Sequence, residues 1–213
     1  MFLNISELVS SIQGEGKFTG YPTTFVRLHG CNLNCGYCDT KYAMKKDSKK
    51  KMGIQSITQS IFRMGNPHIC ITGGEPLLQE SIYVLIYELV DNGYEVTIET
   101  NGAVEIPETL YSRSFSYCMD IKCPSSGCSS KNKYGNLDKL KSNDEVKFVI
   151  ADEEDYVFAK SVIRQYPTKA HFLFSPMMGE DEDIAKNLAQ WVMEDKIPNA
   201  RFGIQLHKLV GFY

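Results

Sequence analysis

The chain has 213 residues, of which 43% are hydrophobic and 23% are charged, with a formal net charge of −3 at neutral pH. These proportions are ordinary for a globular protein, and the length suits a single domain over residues 1–213. A weakly negative chain offers no global attraction to nucleic acid or to an anionic membrane. The first residues lack the features of a signal peptide, and no apolar stretch approaches the roughly 20 residues of a membrane span. We therefore expect a cytoplasmic protein.

A glycine-rich loop, Ser11–Pro22, precedes the first strand that alternation predicts, Thr23–His29. Its glycines would let the backbone approach a ligand closely, and it carries Gln13 and Glu15, although a plain turn between two strands is also compatible with the pattern. In the strand, Arg27 points to the face opposite its two apolar neighbours. A buried arginine needs an anionic partner, and a substrate carboxylate is one candidate.

Three cysteines, Cys31, Cys35 and Cys38, follow this strand in one short polar loop with the spacing C-x3-C-x2-C. Thiolates select zinc, copper(I) or iron–sulfur clusters. Structural zinc sites and ferredoxin-type clusters use four protein ligands, so three thiols leave one position open. A zinc loop completed by a distant His or Cys is the alternative.

Apolar periodicity beyond this loop predicts helices that alternate with strands. The predicted helices are Ile54–Met64, Leu77–Asn92, one capped by Asp152 that runs to about Tyr166, and about Asp181–Asp195; the further strands are His68–Ile71, Tyr94–Glu99, Ser116–Ile121, Glu145–Ile150, His171–Phe174 and Arg201–Leu206. This alternation implies parallel pairing with right-handed crossovers. Seven strands are too few for an eightfold barrel, so we predict an α/β fold, a partial (incomplete) TIM-like barrel of parallel strands with outer helices.

Polar residues recur where these strands end, and in such barrels the site lies at the carboxyl ends of the strands. The strand ends carry Arg27, His29 and the cysteine loop, Thr72–Glu75, Glu99–Asn101, Asp120 and Lys122, Ser175, and Gln205 with His207. The Gly73-Gly74 pair among them would expose backbone groups to a ligand. These positions predict one ligand site at the mouth of the barrel.

Two features remain without an assigned role. The segment Lys41–Lys51 carries six lysines and is predicted to be a solvated loop, because it lacks the interleaved aromatic residues of a nucleic-acid site. Seven cysteines in a chain without an export signal indicate reduced thiols. Cys70 is predicted to lie in the core, whereas Cys118, Cys123 and Cys128 could bind a metal, although their spacing matches no standard ligand pattern.

The three-cysteine loop and the later turn Gly73-Gly74-Glu75-Pro76 resemble the radical S-adenosylmethionine superfamily. The further motifs Gln13-Gly14-Glu15-Gly16, Arg27, Cys38-Asp39-Thr40 and Gln205-Leu206-His207-Lys208 are similar to those of the 7-carboxy-7-deazaguanine synthase family, over essentially the whole chain. That family converts 6-carboxy-5,6,7,8-tetrahydropterin to 7-carboxy-7-deazaguanine with loss of ammonia, in queuosine and deazapurine biosynthesis. The resemblance also implies a compact incomplete barrel and a homodimer.

The resemblance implies a role for each matching residue. Cys31, Cys35 and Cys38 would hold a [4Fe–4S] cluster; Tyr37, Cys38, Asp39, Gly73, Gly74, Glu75, Asp120, Lys122 and Ser175 would bind S-adenosylmethionine; Thr40 would contact Mg2+; and Ile12, Gln13, Gly14, Glu15, Arg27, Thr72, His207 and Tyr213 would surround the pterin. A 5'-deoxyadenosyl radical would take hydrogen from C6 of the pterin before ring contraction, with flavodoxin or ferredoxin as electron donor.

Four alternatives stay open at this point. A small activase that generates a glycyl radical on a partner protein would share the cluster motif, but it acts on a peptide and has less need of Gln13, Glu15 and Arg27. A non-catalytic zinc or electron-transfer module would need a fourth protein ligand. His207 could be an ordinary surface histidine, and Tyr213 could be a packed aromatic end rather than a substrate contact.

Overall fold

Nine strands form one sheet within residues 1–107, 112–178 and 183–211, which the computed structural model describes. The strands are β1 (Phe2–Ile12), β2 (Pro22–Leu28), β3 (Lys50–Gly53), β4 (His68–Gly73), β5 (Glu95–Thr100), β6 (Phe115–Ile121), β7 (Glu145–Ile150), β8 (His171–Pro176) and β9 (Ala200–Phe202). Their spatial order is β3-β1-β2-β4-β5-β6-β7-β8-β9. All seven predicted strands are present.

The strand pairing confirms the partial barrel. From β2 through β4 to β9, each strand pairs in parallel with the next, whereas β1 pairs antiparallel with both β2 and β3. The order of strands begins at β3 and ends at β9, which do not pair with each other in the described part of the chain. The sheet is therefore open, and the carboxyl ends of its seven parallel strands lie along one rim.

The helices are α1 (Ile54–Met64), α2 (Ile82–Asp91), α3 (Asn136–Lys139), α4 (Glu153–Gln165), α5 (Asp183–Asp195) and α6 (Leu206–Val210). The four longer helices, α1, α2, α4 and α5, cover the outer face of the sheet. The α1 bounds match the prediction, and α4 begins after Asp152, whose side chain accepts a hydrogen bond of 2.9 Å from Asp155 N. None of the helices described here is long and apolar enough to cross a membrane.

The two faces of the parallel strands differ in polarity. Val26 and Leu28 pack in the same buried cluster as Ile57 and Leu85 of the outer helices, as the alternation predicts. The inner face instead carries polar and charged side chains, including Arg27, Thr72, Glu99, Asp120 and Lys147. The hydrophobic core therefore lies between the sheet and the helices, and the barrel interior is free for polar chemistry.

Several element boundaries differ from the predictions. β1 and β3 were not predicted, because β1 carries many polar side chains and β3 lies at the end of the lysine-rich segment predicted to be a loop. Lysines on an edge strand oppose pairing with another chain, and the lysines of this segment are exposed. β9 is shorter than predicted, and Leu206 begins α6. α2 starts at Ile82 because Pro76–Leu78 forms a separate 3-10 turn.

A chain of hydrogen bonds crosses four strands inside the barrel. His68 Nδ1 lies 2.8 Å from Thr23 Oγ1, and His68 Nε2 lies 3.0 Å from Thr97 Oγ1, which in turn is 3.4 Å from Ser116 Oγ. Thr23 Oγ1 donates its proton to the Tyr21 carbonyl, so it accepts from His68 Nδ1–H, and His68 Nε2 then accepts from Thr97. This arrangement requires a neutral imidazole. Burial lowers the pKa of His68 to about 4.

The neutral His68 should make stability depend on pH. Because its folded pKa is about 4 and an unfolded histidine titrates near 6.5, the unfolded chain binds more protons between these values, and stability falls as the pH drops through them. We expect a loss of about 3 kcal/mol between pH 7 and pH 4 in the wild type that His68→Gln does not share. Urea unfolding of both proteins at each pH measures this difference, and parallel pH profiles would contradict it.

Candidate active site

The three cysteines lie in a loop that begins directly after β2, at the rim of the barrel, and each is half-buried. Neighbouring segments hold this loop in place. Gly36 N donates to the Ser126 carbonyl at 3.1 Å, and Asn101 Nδ2 lies 2.8 Å from Asn32 Oδ1 and 3.6 Å from Cys31 Sγ. Asn101 therefore fixes one end of the cysteine loop to the end of β5.

The thiols are the only donors in this loop that suit a soft metal centre. Burial raises the pKa of Cys31, and burial raises the pKa of Cys35 to about 12. Metal binding requires thiolates and releases these protons. In the described ranges, no three His, Cys, Asp or Glu side chains are already grouped as metal ligands. The donor set fits a three-thiolate cluster whose assembly brings the side chains together.

The turn after β4 lies directly against the start of the cysteine loop. Gly74 N donates to the Leu28 carbonyl at 2.9 Å, and Glu75 N donates to the Gly30 carbonyl at 2.7 Å. A Cβ atom at Gly73 would overlap the backbone of Leu28, and one at Gly74 would overlap the Gly30 carbonyl. Gly73 also has a φ of +120°, which favours glycine. Glycines are required here because two backbone segments cross at contact distance.

Glu75 is fully buried, and its carboxylate organises the turn from within. It accepts hydrogen bonds from Leu77 N at 3.0 Å, Thr100 Oγ1 at 2.8 Å and Asn101 N at 2.6 Å. Burial raises its pKa, and these donors oppose that shift. The carboxylate thus connects β4 to the end of β5, while its contact with S-adenosylmethionine stays a prediction.

Four charged side chains meet inside the barrel below this rim. Lys147 Nζ lies 3.2 Å from Glu15 Oε2 and 3.7 Å from Asp120 Oδ2, and Lys122 Nζ lies 2.9 Å from the same Asp120 oxygen. All four side chains are only 11–14% exposed. Burial disfavours both ammonium groups, but the facing carboxylates prevail and raise the pKa of Lys122 and Lys147.

Several buried polar atoms in this region make no hydrogen bond with the described residues. They are Glu15 Oε1, Tyr37 Oη, Asp120 Oδ1 and Ser175 Oγ. Leaving such an atom unsatisfied costs about 1–3 kcal/mol, and buried polar groups in native proteins are nearly always paired. All four belong to residues predicted from the sequence to bind S-adenosylmethionine or the substrate. Their chemistry fits a polar, multiply charged ligand at this rim.

The loop after β1 and the last helix form one wall of the same cavity. Gln13 Nε2 lies 3.4 Å from Glu99 Oε1, and Thr72 Oγ1 donates to Glu99 Oε2 at 2.8 Å. Leu206 N donates to the Gly14 carbonyl at 3.0 Å, and the His207 ring occupies the position that a Cβ of Gly14 would take. The structure therefore brings His207 to this wall, where burial lowers its pKa.

The remaining predicted site residues, apart from Tyr213, lie around this group of charged side chains. Arg27 Nε is 3.1 Å from Glu7 Oε2, so the anionic partner expected for this arginine is present within the chain. Thr40 Oγ1 donates to the Gly73 carbonyl at 3.3 Å, and Asp39 lies 4.0 Å from Lys208 Nζ. Ile12 ends β1 beside the Gln13 loop. Tyr213 lies outside the described residues.

Sequence reasoning did not assign Lys147 to the site. The available signal was its position in β7, where Glu145 and Lys147 alternate with Val146 and Phe148, a pattern that places both charged side chains on the inner face. Glu99 was noted only as a polar residue at the end of a strand. Its carboxylate accepts from Thr72, and although burial opposes ionisation, Lys147 and the Thr72 hydroxyl hold its pKa below the usual range.

The three later cysteines occupy different environments rather than one metal site. Cys118 lies on the inner face of β6 near Lys147, Cys123 packs in the outer hydrophobic cluster, and the Cys128 thiol interacts with that of Cys35. All three are buried, and within the residues described they form no metal-ligand group. Cys70 is fully buried, as predicted.

The open parallel barrel, the three-thiol loop after its first parallel strand and the glycine turn after β4 together define a radical S-adenosylmethionine enzyme. The model of the Radical SAM superfamily matches residues 25–111. The solved structure of QueE from Escherichia coli has a TM-score of 0.81 and 24% identity, over 97% of this chain and 95% of that one, which supports the fold. SuiB from Streptococcus suis, solved with S-adenosylmethionine, has a TM-score of 0.57 and 14% identity over 82% of this chain and 48% of its own.

Proteins related in sequence identify the family within this superfamily. The 7-carboxy-7-deazaguanine synthase of Methanospirillum hungatei is 40% identical over 98% of this chain and 86% of its own length. The enzymes of the same name from Koribacter versatilis and Chlorobaculum tepidum are each 39% identical over 98% of this chain, and over 96% and 94% of their own lengths. The chain belongs to the 7-carboxy-7-deazaguanine synthase family. It is therefore an enzyme whose family uses a [4Fe–4S] cluster and S-adenosylmethionine.

The contact between the turn after β4 and the start of the cysteine loop leaves no space for a methyl group at position 74. Gly74→Ala should reduce cluster incorporation several-fold, because relieving the overlap with the Gly30 carbonyl shifts the cysteine loop at a cost of about 1–3 kcal/mol. Gly36→Ala is the matched control within the loop, since its Cβ would meet nothing within 4 Å. Iron content and visible absorbance after anaerobic reconstitution measure the effect. Equal iron content in both variants would contradict it.

Proposed function

We propose that this enzyme converts 6-carboxy-5,6,7,8-tetrahydropterin to 7-carboxy-7-deazaguanine with loss of ammonia, in queuosine or deazapurine biosynthesis. The observation that carries the proposal is the set of buried polar atoms on Glu15, Tyr37, Asp120 and Ser175 that make no hydrogen bond with the described part of the chain. Such a rim suits a charged cofactor and a small polar substrate bound side by side. The family membership of the chain supports the same reaction.

The cluster would be held by Cys31, Cys35 and Cys38, which leaves one iron open to S-adenosylmethionine. The residues proposed to bind that cofactor are the Tyr37–Asp39 segment, Gly73, Gly74, Glu75, Asp120, Lys122 and Ser175. When bound, the reduced cluster and S-adenosylmethionine would supply a 5'-deoxyadenosyl radical for hydrogen abstraction at C6 of the pterin. The chain would orient the cluster and the cofactor. Asn101 fixes the cysteine loop, and the backbone of the glycine turn lies in contact with the start of that loop.

The pterin would lie against the wall formed by Ile12, Gln13, Gly14, Glu15, Arg27, Thr72 and His207, with Tyr213 as a further candidate. Glu15 and Gln13 provide acceptors and donors for the pyrimidine edge of the ring. Arg27 provides a fork for the carboxylate, in exchange for its ion pair with Glu7. The half-buried His207 ring would restrict solvent from one side of this cavity.

Mg2+ is proposed as an additional cofactor, with Thr40 as its protein ligand. A hydroxyl group, a substrate carboxylate and waters are hard oxygen donors of the kind that this ion prefers. Thr40 Oγ1 lies at the rim, 3.7 Å from Cys38 Sγ and 3.3 Å from the Gly73 carbonyl oxygen. The ion would orient the substrate carboxylate and polarise it during ring contraction.

We also propose that the protein acts as one domain over residues 1–213, forms a homodimer and works in the cytoplasm. The continuous sheet supports a single domain. A reducing compartment suits seven free cysteines. The electron donor would be a flavodoxin or a ferredoxin.

The decisive assay is conversion of the pterin by the purified, reconstituted protein without any partner protein. Under anaerobic reduction with S-adenosylmethionine, mass analysis should detect 7-carboxy-7-deazaguanine, and Glu15→Gln should lower its formation at least about tenfold because a charged acceptor is lost. Glu105→Gln, at an exposed carboxylate paired with Lys139, is the control.

The same assay separates the alternatives. Formation of 5'-deoxyadenosine without the deazaguanine would refute the substrate and favour an activase that acts on a peptide. If a protein with a fully assembled cluster yields neither compound, the proposed reaction is refuted.

The proposed magnesium ligand gives a separate prediction. Thr40→Val keeps the shape of the side chain but removes its hydroxyl oxygen, so half-maximal activity should require about tenfold more Mg2+. Thr40→Ser retains the oxygen and serves as the control. Titration of chelated enzyme with Mg2+ measures both. If activity is the same after rigorous chelation, the assignment of Thr40 is wrong.

A further inference from the structure

The ammonium group of Lys147 lies inside the barrel. Lys147 and Glu145 are the two charged residues of β7. Lys147 Nζ lies between two carboxylates that belong to different parts of the proposed site: Glu15, at 3.2 Å, on the substrate side, and Asp120, at 3.7 Å, on the cofactor side. The Lys147 side chain is 11% exposed, so water contributes little to the solvation of its charge. Both carboxylates therefore interact with a cation that is fixed by the sheet.

The ion pair with Lys147 involves only one of the two carboxylate oxygens of Glu15. Oε2 pairs with Lys147, whereas Oε1 is buried and has no hydrogen-bond partner among the described residues. A carboxylate held through one oxygen presents the other in a defined direction. The backbone around Glu15 is also fixed, because Lys17 N donates to Glu145 Oε2 at 2.9 Å on the same strand that carries Lys147. The free oxygen thus occupies a position that β7 determines.

We propose that Lys147 is a positioning residue for substrate binding: its ion pair holds Glu15 Oε2 and thereby directs Oε1 toward the amine-bearing edge of the pterin. The inference rests on the proposed function, because that function places the pterin beside Glu15. An ionised carboxylate accepts hydrogen bonds from ring N–H and exocyclic NH2 groups, whereas a protonated carboxyl would present an O–H donor to them. Lys147 itself need not touch the substrate.

A merely structural lysine would affect stability without affecting the affinity for the pterin. Removing the ammonium leaves Glu15 Oε2 without the cation that fixes its position, so pterin binding by the variant should weaken. Other titratable or charged groups face this pair and remain in both proteins: Cys118, Asp120 and Lys122 from β6 and its end, Glu99 from β5, and His207 from α6. A difference between variant and wild type therefore isolates Lys147.

The test compares Lys147→Met, which keeps the length of the side chain, with Lys147→Arg, which keeps the charge. Anaerobic calorimetry on the cluster-loaded protein, without reductant, measures the Kd of 6-carboxytetrahydropterin and of S-adenosylmethionine at neutral pH. Lys160→Met is the control, because Lys160 forms an ion pair of 2.8 Å with Asp195 away from the site. We expect Lys147→Met to weaken pterin binding at least about tenfold, and Lys147→Arg to bind nearly normally because it keeps the charge.

A double-variant cycle tests whether Lys147 acts through Glu15. In the Glu15→Gln background, adding Lys147→Met should weaken pterin binding no further; an additional loss of about tenfold or more would overturn the inference. If Lys147→Met alone does not fold, the comparison of Glu15→Gln with the double variant still tests the inference, because the double variant lacks both charges and leaves neither unpaired. Pterin binding by Lys147→Met equal to that of the wild type would equally overturn it.

The wild-type controls separate this inference from the function on which it rests. If the wild type binds and converts the pterin but Lys147→Met is unaffected, only the role of Lys147 is refuted. A wild type that neither binds nor converts the pterin overturns both.

Discussion

The site depends on the crossing of two backbone segments at contact distance. The turn after β4 lies against the first residues of the cysteine loop, and only glycine at positions 73 and 74 permits this approach. Glu75 then fixes the turn to the end of β5 through Thr100 and Asn101, and Asn101 in turn holds the cysteine loop. One set of short contacts thus positions the thiols, the proposed cofactor cradle and the rim of the barrel together.

The polarity of the barrel interior is the second constraint. A packed barrel of this type usually fills its interior with branched apolar side chains, whereas here the inner face carries Glu15, Glu99, Asp120 and Lys147. Burying these groups is costly unless they are paired, and the ion pairs leave Glu15 Oε1 and Asp120 Oδ1 without a hydrogen bond to any described residue. The stability of the fold must therefore come mainly from the apolar layer between the sheet and the helices. The interior is organised for a ligand.

Local pattern was sufficient for most of the fold because the parallel strands have one face buried against helices. Val26, Leu28, Ile69 and Ile71 follow the period of two that this packing requires, and α1 shows the helical spacing of Ile54, Ile57 and Ile61. β1 was not predicted because it lacks this simple pattern. It lies near the edge of the sheet, pairs antiparallel and carries polar residues along much of its length. Its register against β2 places Glu7 opposite Arg27, a partner that no local pattern indicates.

By itself, the sequence determined the identity of the thiol loop, the glycine turn and the order of helices and strands, because spacing and periodicity are properties of neighbouring residues. Only the tertiary structure decided which distant groups meet. Lys147 is 132 residues from Glu15, and their contact at 3.2 Å exists because β7 and the loop after β1 face the same interior. His207 reaches Gly14 because α6 folds back over that loop. Such pairings follow from the order of strands in the sheet and from the path of the connecting segments, which depend on the free energy of the whole fold.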